Sequence, residues 1–248
     1  MEPHATERRG SFWSHFGTLV RRMDPLPHGC PASSNVTPFG EEAFTTGVMN
    51  LHGGTCVMII TEKGIYNSHF RDGPSFSQST ILIREPVIFE NDVLHPLKHG
   101  LHFLTSDGTF LEGPPACNPI IKDEDEPVAF IFGPRERNSQ SMQYPVQIVD
   151  IARALRDVLP SVRVNVVGYV NVGQGNPVPG DSDHVDPSCG DIGQLEGTVV
   201  ADYQPRVRMQ DGREGSAVDI WIGEEEGAFR KEWASGELVE LGFCACCK

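Results

Sequence analysis

Cys56 and His69 stand in the stretch GGTCVMIITEKGIYNSHF, residues 53 to 70. These two residue types can perform nucleophilic chemistry together. An imidazole takes the thiol proton, the sulfur attacks an electrophilic carbon, and the imidazolium then protonates the leaving group. The pair is useful only if the fold brings the side chains face to face. Cys56 opens a short apolar run, Glu62-Lys63-Gly64 has turn character, and His69 closes a second run, so the spacing predicts a β-hairpin. With Glu62 and Lys63 as a two-residue loop, Thr61 faces Gly64. Counting outward, Cys56 then faces His69 with Cβ atoms about 4.5–5.5 Å apart. A three-residue loop would move the two to opposite faces unless a bulge restored the register. Gly53 and Gly54 let a substrate approach the backbone closely, and the Cys56 amide is a candidate oxyanion donor. The plain alternative is a structural pair, since cysteine is among the most buried residue types and the chain holds seven cysteines and nine histidines.

The elements that must hold this hairpin are mostly strands. Val48 onward carries strand signals. FENDVLHPLKH, 89 to 99, has helical apolar spacing interrupted by Pro96. PVAFIFG, 127 to 133, reads as a buried strand. Tyr144 to Leu159 is the best helix, with Ile148, Ile151, Ala152, Leu155, Val158 and Leu159 on one face and Pro160 as its stop. Val162 to Val170, Thr198 to Tyr203 and Ala217 to Ile222 are strands, and 171 to 197 reads as a long polar excursion. Residues 1 to 45 read as an irregular arm with a short amphipathic helix between Phe12 and Met23. The expectation is an α+β protein with a β-sandwich-like mixed sheet core and flanking helices. It places a single domain at 46–243, behind the 1–45 arm and ahead of a cysteine-rich tail at 244–248.

Composition narrows the partners. A net charge of -14 over 248 residues repels phosphate backbones, which argues against nucleic acid. No apolar run approaches the roughly 20 residues of a membrane-spanning helix, so no membrane partner is expected. The N-terminus lacks the apolar core of a secretory signal, and the chain reads as intracellular or as secreted with its leader removed. Acidic clusters at Asp123 to Glu126 and Glu224 to Glu226 read as solvated loops.

Other groupings carry less. Cys244, Cys246 and Cys247 could ligate a soft metal with Cys189 or a histidine, but structural zinc sites use spaced cysteine pairs, and a tail with disulfide potential is the better reading. His95 and His99 could share a helix face, yet they lack a companion carboxylate motif and read as surface. Gly173-Gln-Gly-Asn-Pro follows no phosphate-loop pattern. Asn35-Val-Thr is a glycosylation acceptor weakened by Pro38. No metal and no cofactor is expected.

The stretch Leu51-His52-Gly53-Gly54-Thr55-Cys56, followed by a tight turn and His69, resembles the active-site signature of the Cys-His protein glutamine deamidases. That superfamily includes the cytotoxic necrotizing factor, Burkholderia lethal factor and CheD-type deamidases, in which the cysteine often follows Leu-Ser-Gly. The longer layout, with a Cys56 to Phe70 hairpin, a Tyr144 to Pro160 helix and a tryptophan strand at Ala217 to Ile222, also resembles a group of uncharacterised filamentous-fungal proteins. The first likeness covers roughly residues 48 to 72 and the second most of 48 to 222.

The likeness implies that Cys56 attacks a protein glutamine carboxamide, that His69 assists ammonia departure, and that water resolves the thioester to glutamate. It implies a third group, about six residues before the cysteine, that orients the histidine. The matching position is Asn50, where some relatives have threonine; Thr55, His52 and Asn67 are rivals. The expected partner is therefore a protein bearing a reactive glutamine. Two other readings stand beside it: a non-catalytic effector that keeps the fold, and a cysteine peptidase using the same dyad.

Overall fold

The computed structural model describes residues 15–25, 32–49, 51, 53–73, 75–76, 85–104, 110–136, 139–170, 197–209, 212–222 and 228–234. Asn50, His52, the 171–196 excursion with its glycine motif and Cys189, and the cysteine tail lie outside them. In chain order the elements begin with helix α1 (residues 15–22), β1 (Asp24–Pro25), β2 (Ala32–Pro38), β3 (Phe44–Val48), β4 (Thr55–Ile60) and β5 (Gly64–Phe70). Next come α2 (Glu85–Phe89), a π turn (Glu90–Leu94), α3 (His95–His99), β6 (Leu101–Leu104), β7 (Phe110–Gly113) and a 3-10 turn (Asp123–Asp125). The rest are β8 (Val128–Arg135), α4 (Pro145–Val158), β9 (Arg163–Val170), β10 (Val199–Arg208), β11 (Glu214–Ile222) and β12 (Ala228–Ala234). This is an α+β fold, as the sequence implied.

The chain forms two compact units, each assembled from separate segments: 1–25, 40–52 and 170–235 in one, and 26–39, 53–169 and 236–248 in the other. The arm contributes β1 and part of β3 to one sheet and β2 to the other. ASSNVTP lacks an apolar alternation, because β2 is recruited by backbone pairing along its whole length, from Ala32 opposite Phe70 to Pro38 opposite Gly64.

The first unit holds a mixed sheet in the order β1-β3-β10-β11-β12, parallel only between β1 and β3. Phe16, Leu19 and Met23 from α1 and the turn after it form a small core with Val200.

The second unit holds the sheet β2-β5-β4-β8-β9. Strand pleating divides its side chains between two faces. Val57, Ile59, Tyr66, Phe70, Ala129 and Ile131 share one core with Phe89, Val93 and Leu97 from the 85–99 helical run and Ile148, Ile151 and Leu155 from α4. Cys56, Met58, Ile60, Ile65, His69, Phe130 and Phe132 alternate with them on the other face and are also buried. Burial on both faces explains why TCVMII shows no polar alternation.

Two local features differ from simple expectation. The helical run continues through Pro96, because the π turn Glu90–Leu94 widens the helix just where proline removes a donor. Strand β9 lies beside β8 with the Arg163 N–H on the Pro127 carbonyl and Asn165 Nδ2 on the Ala129 carbonyl, a constant offset that makes the two strands parallel. A parallel neighbour needs a crossover, and α4 supplies it.

The apolar face of α4 sets the stability of this unit. Leu155 is fully buried and Val149 is 55% exposed. Leu155→Ala should lower the unfolding free energy by about 2–5 kcal/mol, read as a lower urea midpoint at unchanged slope. Val149→Ala should stay within about 0.5 kcal/mol of the parent.

Candidate active site

The hairpin has a two-residue loop. The Thr61 N–H donates to the Gly64 carbonyl at 3.0 Å, Ile60 is opposite Ile65, and Cys56 is opposite His69. In an antiparallel ladder, hydrogen-bonded and non-hydrogen-bonded pairs alternate. Thr61 and Gly64 are a hydrogen-bonded pair, so Cys56 and His69, an odd number of steps away, are a non-hydrogen-bonded one. That is the class with the closer side chains, at a Cα separation of about 4.5 Å. The loop is fixed from outside as well: Lys63 Nζ meets Asp125 Oδ1 at 2.6 Å, and the Phe39 N–H donates to the Lys63 carbonyl at 2.8 Å. The acidic cluster read as a solvated loop is thus a structural anchor, with the Asp125 side chain only 4% exposed. Asp123 also accepts the Ser161 N–H at 2.6 Å.

The same alternation overturns one expected role. With its N–H turned away from β5, Cys56 points its amide at β8, opposite Phe132. That amide belongs to the ladder and does not face an incoming oxyanion. Thr55 shares the face of Val57 and Ile59, opposite to the face of His69, and its buried hydroxyl has no hydrogen-bond partner. Pleating alone removes it from the imidazole. Asn67 does share the His69 face, two residues away and opposite Met58. On the other flank, Ser33 of β2 lies directly opposite His69 and is half-buried. Nothing in the local sequence points to Ser33, because it enters through a strand with no apolar pattern.

The glycines before the cysteine are required by space and backbone. Gly53 has φ of 83°, in the left-handed region that favours glycine. A Cβ on Gly54 would lie 2.7 Å from the Phe70 carbonyl oxygen and 2.8 Å from His69 Nε2. The imidazole therefore rests directly against Gly54. The Tyr169 hydroxyl donates to the Gly54 carbonyl at 2.6 Å, and the Tyr144 hydroxyl donates to Asp72 Oδ1, 72 residues away in sequence within the same unit. Tyr169 also feels the charge of Asp72. Sequence reading assigned Tyr144 and Tyr169 only to a helix start and a strand. The one available signal was that a buried tyrosine needs a partner for its hydroxyl.

Burial dominates the electrostatics. Cys56 is 0% exposed, and desolvation pushes its thiol well above the ordinary cysteine range, so it is protonated at neutral pH. Tyr66, on the opposite face, is pushed up to about 12, chiefly by burial. Burial also raises Tyr169 and Tyr144, the latter helped by the adjacent Asp72. His69 is 8% exposed.

Among the described residues, no group of three or more His, Cys, Asp or Glu side chains is placed to hold a metal ion. His95 and His99 lie exposed on α3 with ring centroids 4.6 Å apart. An open groove of about 340 Å³ is lined by His99, His102, Glu112 and Gly113 to Pro115, and it includes neither Cys56 nor His69.

No protein-family model matches the chain, and no curated protein is detectably similar to it. Among solved structures, it is weakly similar to the C-terminal domain of CNFy from Yersinia pseudotuberculosis, at 14% sequence identity and a TM-score of 0.28. The match covers 85% of this chain and 61% of that one. At that score the likeness assigns no residue a role.

Two outcomes test this geometry. Gly54→Ala should cost about 1–3 kcal/mol in chemical denaturation, because the Phe70 carbonyl cannot yield and the imidazole must move. Gly40→Ala, with nothing within 4 Å of the added carbon, should be close to neutral. Stability should also depend on Cys56 at alkaline pH. A thiol whose folded pKa is raised contributes stability below its unfolded value, about 8.5, and loses it as pH rises further. Between pH 8.5 and 10 the parent should therefore lose up to about 1.4 kcal/mol per pH unit more than Cys56→Ala. Equal slopes would mean that the thiol ionises freely in the folded chain.

Proposed function

We propose that the protein is a Cys-His hydrolase that converts a protein glutamine side chain to glutamate through a thioester on Cys56. The observation that carries this reading is the direct cross-strand opposition of Cys56 and His69 at a close-pair position. The likeness of Gly53-Gly54-Thr55-Cys56 and His69 to the glutamine deamidase signature supplies the reaction.

The chemistry follows from a neutral thiol. His69 accepts the Cys56 proton as the sulfur attacks the carboxamide carbon, giving a tetrahedral oxyanion. Collapse breaks the C–N bond, the imidazolium gives its proton to the nitrogen, and ammonia leaves a thioester. His69 then takes a proton from water as its oxygen attacks the thioester carbon. The second collapse breaks the C–S bond, releases glutamate and returns the proton to sulfur. The sum is glutamine plus water giving glutamate plus ammonia. Because burial opposes a resting thiolate, the imidazole must act in the same step as attack. The net charge of -14 suits a substrate protein that is not itself a polyanion.

The full burial of Cys56 favours a second reading, a non-catalytic binding protein that retains the fold. Product analysis separates the two. Incubation with denatured casein and an N-blocked glutaminyl-glycine dipeptide should release ammonia and add about one dalton per modified glutamine without cleaving the chain. Chain cleavage would point to the peptidase instead. Cys56→Ala and His69→Ala should each reduce ammonia release about a thousandfold or more. Activity should fall on the acid side, where an imidazole takes up the proton it must be free to accept. Full turnover in either variant would sink the proposal.

A further inference from the structure

With the Cys56 amide held in the ladder opposite Phe132, an oxyanion donor must come from elsewhere. The backbone just ahead of β4 is the nearest source, and it is held in an unusual way. The Tyr169 hydroxyl donates to the Gly54 carbonyl at 2.6 Å, and its oxygen takes a backbone hydrogen bond from Gly53. One side chain therefore grips the peptide groups on both sides of the Gly53–Gly54 peptide. That middle peptide, which carries the Gly54 N–H, is left without a hydrogen-bond partner among the described residues. It lies beyond the last β4–β8 pair, and Gly54 is in contact with the imidazole of His69.

We infer that Tyr169 is a positioning residue: it holds the Gly53–Gly54 peptide so that the Gly54 N–H meets the oxyanion formed at Cys56. This rests on the hydrolase reading above. A peptide unit is planar, so anchoring the groups on either side of Gly53–Gly54 leaves few orientations open to the N–H between them. The left-handed φ of Gly53 makes the segment intrinsically adaptable, and a clamp converts that freedom into one geometry. A preorganised donor gains its effect by needing no reorganisation as charge develops. Tyr169 is 1% exposed, so its hydroxyl makes these bonds away from competing water. Burial also keeps the phenol protonated, which the donor role requires.

Tyr169→Phe keeps the ring and removes the clamp. With denatured casein as the probe, kcat should fall about tenfold to a hundredfold while KM changes by less than about twofold, because the lost interaction acts on the transition state. Amide hydrogen exchange gives a readout independent of activity: Gly53 should exchange about tenfold faster in the variant, with Val57 in mid-strand unchanged. Unchanged Gly53 exchange, or lost protection with unchanged kcat, would overturn the inference. Wild-type protein that releases no ammonia would overturn the hydrolase reading instead, and the exchange result would still decide the clamp. If Tyr169→Phe does not fold, replacing Tyr169 with 3,5-difluorotyrosine keeps its shape and makes it more acidic. Its oxygen is then a weaker acceptor, so Gly53 should exchange faster than in the parent with Val57 unchanged, and unmoved Gly53 exchange would overturn the assignment.

Discussion

The candidate site depends on the register of one hairpin. A strand presents alternate residues to opposite faces, so a slip of one position between β4 and β5 would send Cys56 and His69 to opposite sides of the sheet. Register is specified from both ends. At the turn, Gly64 leaves no room for a side chain, since a Cβ would lie 2.7 Å from the Thr37 carbonyl oxygen. Lys63 is tied to the largely buried Asp125, where an unpaired carboxylate would be costly. Along the strands, a slip would expose Ile59 and Tyr66 to the wrong face and push polar Ser68 out of its contact with the Val57 carbonyl.

This security creates the chief chemical constraint. A pair locked between two buried faces is well oriented, but a low-dielectric setting disfavours the charged thiolate that makes cysteine a strong nucleophile. The two effects oppose each other, and for Cys56 desolvation wins in the resting chain. The hydrolysis proposed for this site would have to avoid separating charge before attack, so that proton transfer to His69 becomes part of the bond-forming step. The medium that penalises the thiolate also strengthens the hydrogen bond by which Tyr169 holds the Gly54 carbonyl.

The sequence made the local features legible. A tight turn follows from Glu62-Lys63-Gly64 between apolar runs, although its loop length of two or three residues does not. Helix α4 follows from Ile148, Ile151, Ala152 and Leu155 on one face, and β8 from an unbroken apolar run. Each of these depends on residues within a turn or two of chain. What stayed hidden depends on partners. Whether the Cys56 amide is free is decided by which strand occupies the far edge of β4, and PVAFIFG gives no sign that it will. Ser33 reaches His69 through a strand defined by backbone pairing alone. The split into two units was equally unreadable, because segments such as 32–39 and 40–49 differ in destination but not in character.

The separation of distances also bears on how the site forms. Cys56 and His69 are close along the chain, and a hairpin can pair them early. A two-stranded hairpin is marginal alone in water, however, and its pairing would be one register among several. The groups that fix it are remote: Asp125 lies 62 residues from Lys63, and Tyr169 lies 115 residues from Gly54. Tyr169 reaches Gly54 only after β9 has joined the sheet, which in turn requires α4 to complete the crossover from β8. The dyad is therefore local in sequence but global in geometry. Its arrangement arises only when the whole unit has folded, and a partly folded chain would carry the same cysteine without an opposed imidazole or a held Gly54 carbonyl.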